Sequence, residues 1–221
     1  VDDRRHEWAA YAKQGYGNTR GIWQTPYLEA RGWTFLDRVR FTPHLKNGTV
    51  GVEVSLGRPS PGPKPHRVTI ALAESNAADI VNLDFRQGEF VAGGTLRLRK
   101  PRLWTLDDPH LYKVRVTSGG DEVDTYFGFR EIGRGHEPFA GHPYVTLNGQ
   151  PVYLQLVLDQ GVCPQGHYTF PSDEFIRRDL ELVKSLGLNG IRTHVKAEIP
   201  RKLYWADRMG LLVMSDVPNF W

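Results

Sequence analysis

The spacing of apolar residues changes once along this 221-residue chain, between about residues 132 and 145, and that change limits the fold more than any single residue does. Up to residue 132 the apolar positions alternate. "WTFLDRVRFTPHL", "GTVGVEVSLG", "HRVTIALAE", "ADIVNLDF", "GGTLRLRKP", "LYKVRVTSG" and "EVDTYFGFREI" are short runs rich in Val, Ile, Thr, Leu and aromatics. In "HRVTIALAE", Val68, Ile70 and Leu72 share one face, because successive side chains of a strand point to opposite sides. Turn signals divide the runs roughly every ten residues, the pattern of an antiparallel sandwich. Asn47-Gly48 is a tight-turn pair between two of them, and a hairpin explains Asn47-Gly48-Thr49 without a glycan. "RPSPGPKP", residues 58–65, is proline-rich and reads as an exposed loop.

After residue 145 the pattern is mixed. "YVTLNGQPVYLQLVLDQG" predicts a hairpin turning at Asn148-Gly149, then a buried strand around Val152–Leu158. Ser172 caps a helix, with Asp173 and Glu174 in the first turn where the helix dipole favours them. Ile176, Leu180, Val183 and Leu186 follow at helical spacing as one apolar face, and Gly187 ends the helix. A strand at Leu188–Arg192, a helix opened by Pro200 and closed by Gly210, and a strand at Leu211–Ser215 complete the series. This β-α-β-α-β order implies parallel strands with right-handed crossovers, the first three units of a (β/α)8 barrel. Functional residues of such sheets gather at the carboxyl ends of the strands, which selects Asp159, Arg192, His194 and Asp216. An exposed barrel flank predicts that the chain is the front of a longer protein. The opening "VDDRRHEW" has no initiator Met, which predicts that residues also precede it.

Composition removes several alternatives. The net charge is +3, and the 28 Lys and Arg form no basic run, so nothing argues for nucleic acid. No 18-residue apolar stretch is present to span a membrane. Cys163 is the only cysteine, which excludes an intrachain disulfide and disfavours a thiolate zinc site. It fits a cytoplasmic or a secreted protein equally. The six Trp and nine Tyr suit either core packing or sugar platforms. His136 and His142 flank "EPFAG" with no third ligand and make a poor metal site. No Gly-x-Ser-x-Gly elbow occurs, and no helix follows the glycine-rich turns to cradle phosphate.

Four stretches, in order, resemble glycoside hydrolase family 2, the family of β-galactosidases, β-glucuronidases and β-mannosidases. "TRGIWQTPYLE", residues 19–29, looks like the last strands of the family's jelly-roll sugar-binding domain. "PRLWTLDDPHLYKVRV", residues 101–116, looks like a segment of its immunoglobulin-like middle domain, and "YFGFREI", residues 126–132, matches the signature that leaves it. "LNGQPVYLQLVLDQG", "DLELVKSLGLNGIRTH" and "YWADRMGLLVMSDVP" match the first three barrel strands. The resemblance implies a multidomain β plus α/β architecture. Residues 1–31 are the end of the jelly roll, 32–132 the immunoglobulin-like sandwich and 133–221 the front of the TIM barrel. "LDQG" with "GHYTFPSDE" departs from the β-galactosidase pattern, which carries an Asn and a His near Asp159, so the sugar stays open.

The family implies a retaining mechanism with two glutamates and no cofactor. One carboxyl attacks the anomeric carbon while another, about 5–5.5 Å away, protonates the leaving oxygen. No Asn-Glu pair occurs in the chain, so both roles are expected beyond Trp221 and the chain alone is expected to be inactive. Arg192 matches the family's arginine beside the nucleophile, where a guanidinium keeps a carboxylate ionised. A structural salt bridge is the alternative. His194 would bond a sugar hydroxyl or the nucleophile, or else be a packed loop histidine. Asp159 would grip two hydroxyls, or cap the following turn. Trp221 would wall a subsite. Lys196 and Glu198 lie in the loop after the second strand, within reach of a substrate, but most such charges are simply solvated. The expected partners are a carbohydrate substrate and the rest of the parent chain. A second reading is a non-catalytic carbohydrate-binding or interaction module derived from that family, which as a homo-oligomer would bury the open flank.

Overall fold

The structure is a computed structural model describing residue 22 and residues 24–73, 80–136, 141–166 and 168–217. It divides into two units, residues 29–153 and residues 154–221 with 1–28. Of the jelly-roll strands expected at residues 19–29, residues 19–21 and 23 lie outside the described residues. The described part of that stretch, residues 22 and 24–29, forms no strand.

In the first unit, alternation builds two antiparallel sheets. β1 (Leu36–His44), β2 (Thr49–Leu56) and β5 (Val91–Arg97) form one in the order β1-β2-β5. β3 (His66–Leu72), β4 (Ile80–Phe85), β6 (Leu111–Ser118) and β7 (Asp121–Gly128) form the other in the order β4-β3-β6-β7. Their inner faces share one core, with Val50, Val52, Val54 and Leu96 meeting Val68, Ile70, Phe85, Val114 and Val116. Each such side chain stabilises the fold by about 1.5–3 kcal/mol relative to exposure. Val68, Ile70 and Leu72 are buried together as their alternation predicts. A short 3-10 turn, Leu45–Asn47, joins β1 to β2 and ends at Gly48 with φ of 64°.

β8 (Ile132–His136), β9 (Pro143–Leu147) and β10 (Gln150–Pro151) form a further small sheet in this unit. Asn148 and Gly149 turn β9 into β10 with φ of 53° and 79°, the conformation that an Asn-Gly hairpin favours. The Asn148 side chain donates to the Trp104 carbonyl at 3.0 Å and accepts from the Glu131 N–H at 3.0 Å. Trp104 is fully buried, and the Arg130 guanidinium lies 4.2 Å from its ring centre. A Cβ at Gly128 would come within 3.3 Å of the indole, so this close approach suits glycine.

In the second unit, β11 (Leu156–Asp159), β12 (Gly190–Thr193) and β13 (Leu212–Ser215) run parallel in that order. The helices α1 (Asp173–Ser185) and α2 (Pro200–Met209) connect them. Ser172 Oγ accepts from the Phe175 N–H at 3.1 Å, Pro200 opens α2, and Gly210 closes it at φ of 71°. Ile176, Leu180, Val183, Ile191, Ala206 and Leu211 make the core. Two expectations need correction. Leu186 is 67% exposed, because the buried face of α1 ends at Val183. The strand expected as buried begins only at Leu156, and its Val157 and Leu158 are exposed. The helices pack against Ile191 and Val213, which leaves the alternate row Leu158, Arg192 and Met214 open.

Candidate functional site

Parallel pairing brings the carboxyl ends of β11, β12 and β13 to one edge, with Asp159, Thr193 and Ser215 in register. The backbone extends that alignment by one residue. The His194 N–H donates to the Asp159 carbonyl at 2.9 Å, and the Asp216 N–H donates to the Thr193 carbonyl at 3.0 Å. Asp159, Arg192, His194 and Asp216 are thus gathered where loops, rather than helices, border the sheet.

Arg192 and Asp216 form a planar fork. Nε and Nη2 of Arg192 donate to the two carboxylate oxygens of Asp216, each at 3.0 Å. The arginine side chain is 47% exposed and the aspartate 21%. This bidentate geometry fixes the guanidinium plane. Hydrogen bonding by Arg192 is the main reason that the Asp216 carboxyl sits below its ordinary range. Asp216 also receives the Val195 N–H at 3.4 Å. Val195 has φ of 54°, a strained conformation for a β-branched residue and a kind of strain that clusters at functional sites. Nδ1 of His194 lies 3.3 Å from Oε1 of Gln160, which needs the Nδ1–H tautomer because that oxygen only accepts.

Asp159 faces inward. Its Oδ1 accepts from the Gly161 N–H at 2.8 Å, and its Oδ2 pairs with Nζ of Lys202. Both oxygens are therefore engaged within the protein, and the side chain is 13% exposed. Lys202 is fully buried; its Nζ lies 3.8 Å from Asp179 and 4.6 Å from the Phe170 ring centre. Burial raises the Asp179 carboxyl above its ordinary range, against the opposing pull of Lys202.

Lys196 and Glu198 are not solvated, contrary to the expectation from their place in a loop: each is 8% exposed. Lys196 Nζ donates to the Gly161 carbonyl at 2.7 Å and approaches the Tyr168 carbonyl at 3.4 Å. It lies 3.4 Å from Glu198 Oε1 and 5.2 Å from the ring centres of Tyr168 and Phe170. These partners offset the desolvation that makes a lone buried charge so unfavourable. Burial pushes the Lys196 amine down, with Glu198 opposing.

Trp221 lies outside the described residues. Sequence reasoning did not find Lys202, Asp179, Tyr168 or Phe170. One signal was available. Lys202 stands four residues before the buried Ala206, on the stripe of α2 that faces the core, where a charge needs a buried partner. The edge therefore offers an exposed, oriented guanidinium fork beside a half-buried imidazole, above an internal layer of compensated charge. Such groups are suited to hydroxyls and to holding a carboxylate. Asp159 and Asp216 are each engaged by a cation and do not form a free acid–base pair.

Residues 34–130 match the family model described as Glycosyl hydrolases family 2. A putative beta-glucuronidase of Formosa agariphila is 32% identical over 57% of this chain and 12% of its own length. A beta-galactosidase of Thermoanaerobacterium thermosulfurigenes is 30% identical over 56% of this chain and 17% of its own length. The chain thus spans less than a fifth of these curated relatives. The crystal structure of a GH2 beta-galacturonidase from Eisenbergiella tayi, bound to galacturonate, is similar with a TM-score of 0.70. That match covers 83% of this chain and 32% of the other, and at 23% identity it is a likeness of fold.

Proposed function

This chain is a relative of glycoside hydrolase family 2, and from that premise we propose that it is part of a retaining glycosidase acting on a terminal sugar. Residues 32–132 are read as the immunoglobulin-like spacer and residues 133–221 as the first three units of the catalytic barrel. Residues 1–31 are read as the end of a sugar-binding jelly roll. The seven strands described in the sandwich and the parallel β11-β12-β13 sheet with its two helices support this division.

In this reading the substrate is a carbohydrate, held at the carboxyl edge of the barrel strands. One glutamate protonates the leaving oxygen while a second attacks the anomeric carbon, and water then releases the sugar with its configuration retained. Both glutamates belong to residues other than these 221. Arg192 lies beside the nucleophile, keeping it ionised and aimed, and His194 bonds a sugar hydroxyl. Asp159 shapes the edge through Gly161 and Lys202, and Trp221 is assigned to the subsite wall.

The single observation that carries the proposal is the Arg192–Asp216 fork, an exposed guanidinium immobilised where a barrel enzyme keeps its site. The test is hydrolysis of aryl β-galactoside, β-glucuronide, β-galacturonide and β-mannoside by the intact protein, with the product followed by proton NMR. The expected result is turnover of one of them with the β-anomer appearing first. An α-anomer appearing first contradicts the mechanism, and no hydrolysis contradicts the assignment.

A further inference from the structure

We propose that Lys196 is a positioning residue: its ammonium group fastens Gly161, at the start of the loop that leads from β11 to α1, and thereby holds Gln160 against His194. The loop leaves β11 at Gly161 and returns towards α1 through Tyr168 and Phe170. Lys196 reaches the carbonyls of Gly161 and Tyr168, seven residues apart in sequence, from the loop that follows β12. The rings of Tyr168 and Phe170 flank the same nitrogen, and Phe170 also faces Lys202. Gln160, one residue before Gly161, is the group that meets His194.

Gly161 supplies an independent observation. It has φ of 65°, and a Cβ there would come within 2.4 Å of Glu198 Oε1 and 2.6 Å of Lys196 Nζ. The backbone approaches the charge pair as closely as glycine permits. A buried ion pair is weak evidence for stability, since an apolar pair of similar volume often holds a fold equally well. What this one supplies is a short charged hydrogen bond to the Gly161 carbonyl and a longer approach, at 3.4 Å, to the Tyr168 carbonyl. The short bond from a charged donor is directional, so it sets the position of Gly161 rather than merely filling space. The consequence for substrate rests on the reading of this edge as a sugar site; the clamp itself does not.

The test uses the intact protein in two variants. Lys196→Met with Glu198→Gln removes the clamp and leaves no unpaired buried charge, so it avoids the collapse that Lys196→Met alone risks. Gly161→Ala keeps the charges and displaces the backbone. In both, amides of residues 160–170 are expected to exchange with deuterium roughly tenfold faster or more, while those of Ile176, Leu180 and Ile191 stay as protected as before. KM for the aryl glycoside is expected to rise more than kcat falls, and that rise is expected to vanish in a Gln160→Ala background. Unchanged loop exchange overturns the clamp. Fast exchange with an unchanged KM, or a rise that persists without Gln160, overturns the positioning role. If the intact protein hydrolyses no glycoside, the functional reading falls instead. The ring-nitrogen chemical shifts of His194 then decide: movement on clamp removal supports the proposal, and constancy overturns it.

Discussion

The two units bury different chemistry. The sandwich core is aliphatic and aromatic, from Leu36 to Phe129, and the Arg67–Asp84 and Arg115–Asp124 ion pairs stand on the outer surface between neighbouring strands. The α/β unit places Lys202, Lys196 and Glu198 inside, next to a small apolar core of six buried residues among those described. Charge is more costly to bury than Val or Leu, so its presence at the strand ends argues for a purpose other than stability. The sandwich is built to hold, whereas the α/β unit gives up part of its core to fix polar groups in place.

The largest expected effect is on the sandwich side. Trp104→Ala removes a fully buried indole, the platform for Arg130 and the neighbour of Gly128, and is expected to destabilise by about 3–5 kcal/mol in urea unfolding. On the other side, Lys202→Met strands Asp159 beside an apolar group and is expected to lower protection at Leu180 by about 3 kcal/mol. Adding Asp159→Asn keeps an acceptor for the Gly161 N–H and is expected to recover most of that loss. No recovery would mean that the pair stabilises by attraction and not by mutual compensation, which breaks the contrast drawn above.

Acid is expected to act on Asp179 with the opposite sign to the arginine-paired carboxylates of both units. In the sandwich, hydrogen bonds from Arg67, Arg102 and Arg115 hold Asp84, Asp108 and Asp124 below the ordinary range. A carboxyl depressed by folding stabilises above its unfolded value, about 3.9, and that contribution is lost as pH falls through the lower folded value. Asp216 behaves likewise through Arg192. Asp179 is raised by burial, so its contribution is complete below about pH 3.9 and is lost as pH rises through the higher folded value. Asp179→Asn is therefore expected to stabilise the α/β unit at neutral pH, and Asp216→Asn to remove part of its loss in acid. Urea midpoints between about pH 3 and 7, read by exchange at Val116 and Leu180, check both. The smallest effect is expected for Arg67→Ala. Its pair with Asp84 is solvated, and the unfolding midpoint is expected to stay within error.

The sequence was most legible where one rule governs a position. Alternation gave the sandwich strands, Ser172 the start of α1, and Pro200 with Gly210 the limits of α2. Packing decides what periodicity leaves open. Leu186 fits the helical stripe yet is left 67% exposed, and Lys202 occupies a fully buried position despite its charge. Trp104 is core, whereas Trp33 is 67% exposed beneath Arg58, and nothing local in the sequence distinguishes them. That Asp159, Arg192 and His194 share one edge is legible because parallel strands deliver their ends together. Their partners were not, because Lys196, Lys202 and Asp179 come from a loop and two helices whose meeting depends on the tertiary fold.

The central claim is that the carboxyl edge of β11, β12 and β13 serves glycoside hydrolysis. The most direct measurement is kcat/KM of the intact protein on its preferred aryl β-glycoside, for the parent and for Arg192→Gln, with the unfolding midpoint of each. The account predicts a fall of about a hundredfold or more with little change in midpoint, since Arg192 is exposed and is proposed to act on the transition state. An Arg192→Gln protein that turns over substrate at the parent rate would show that this edge lies away from the chemistry.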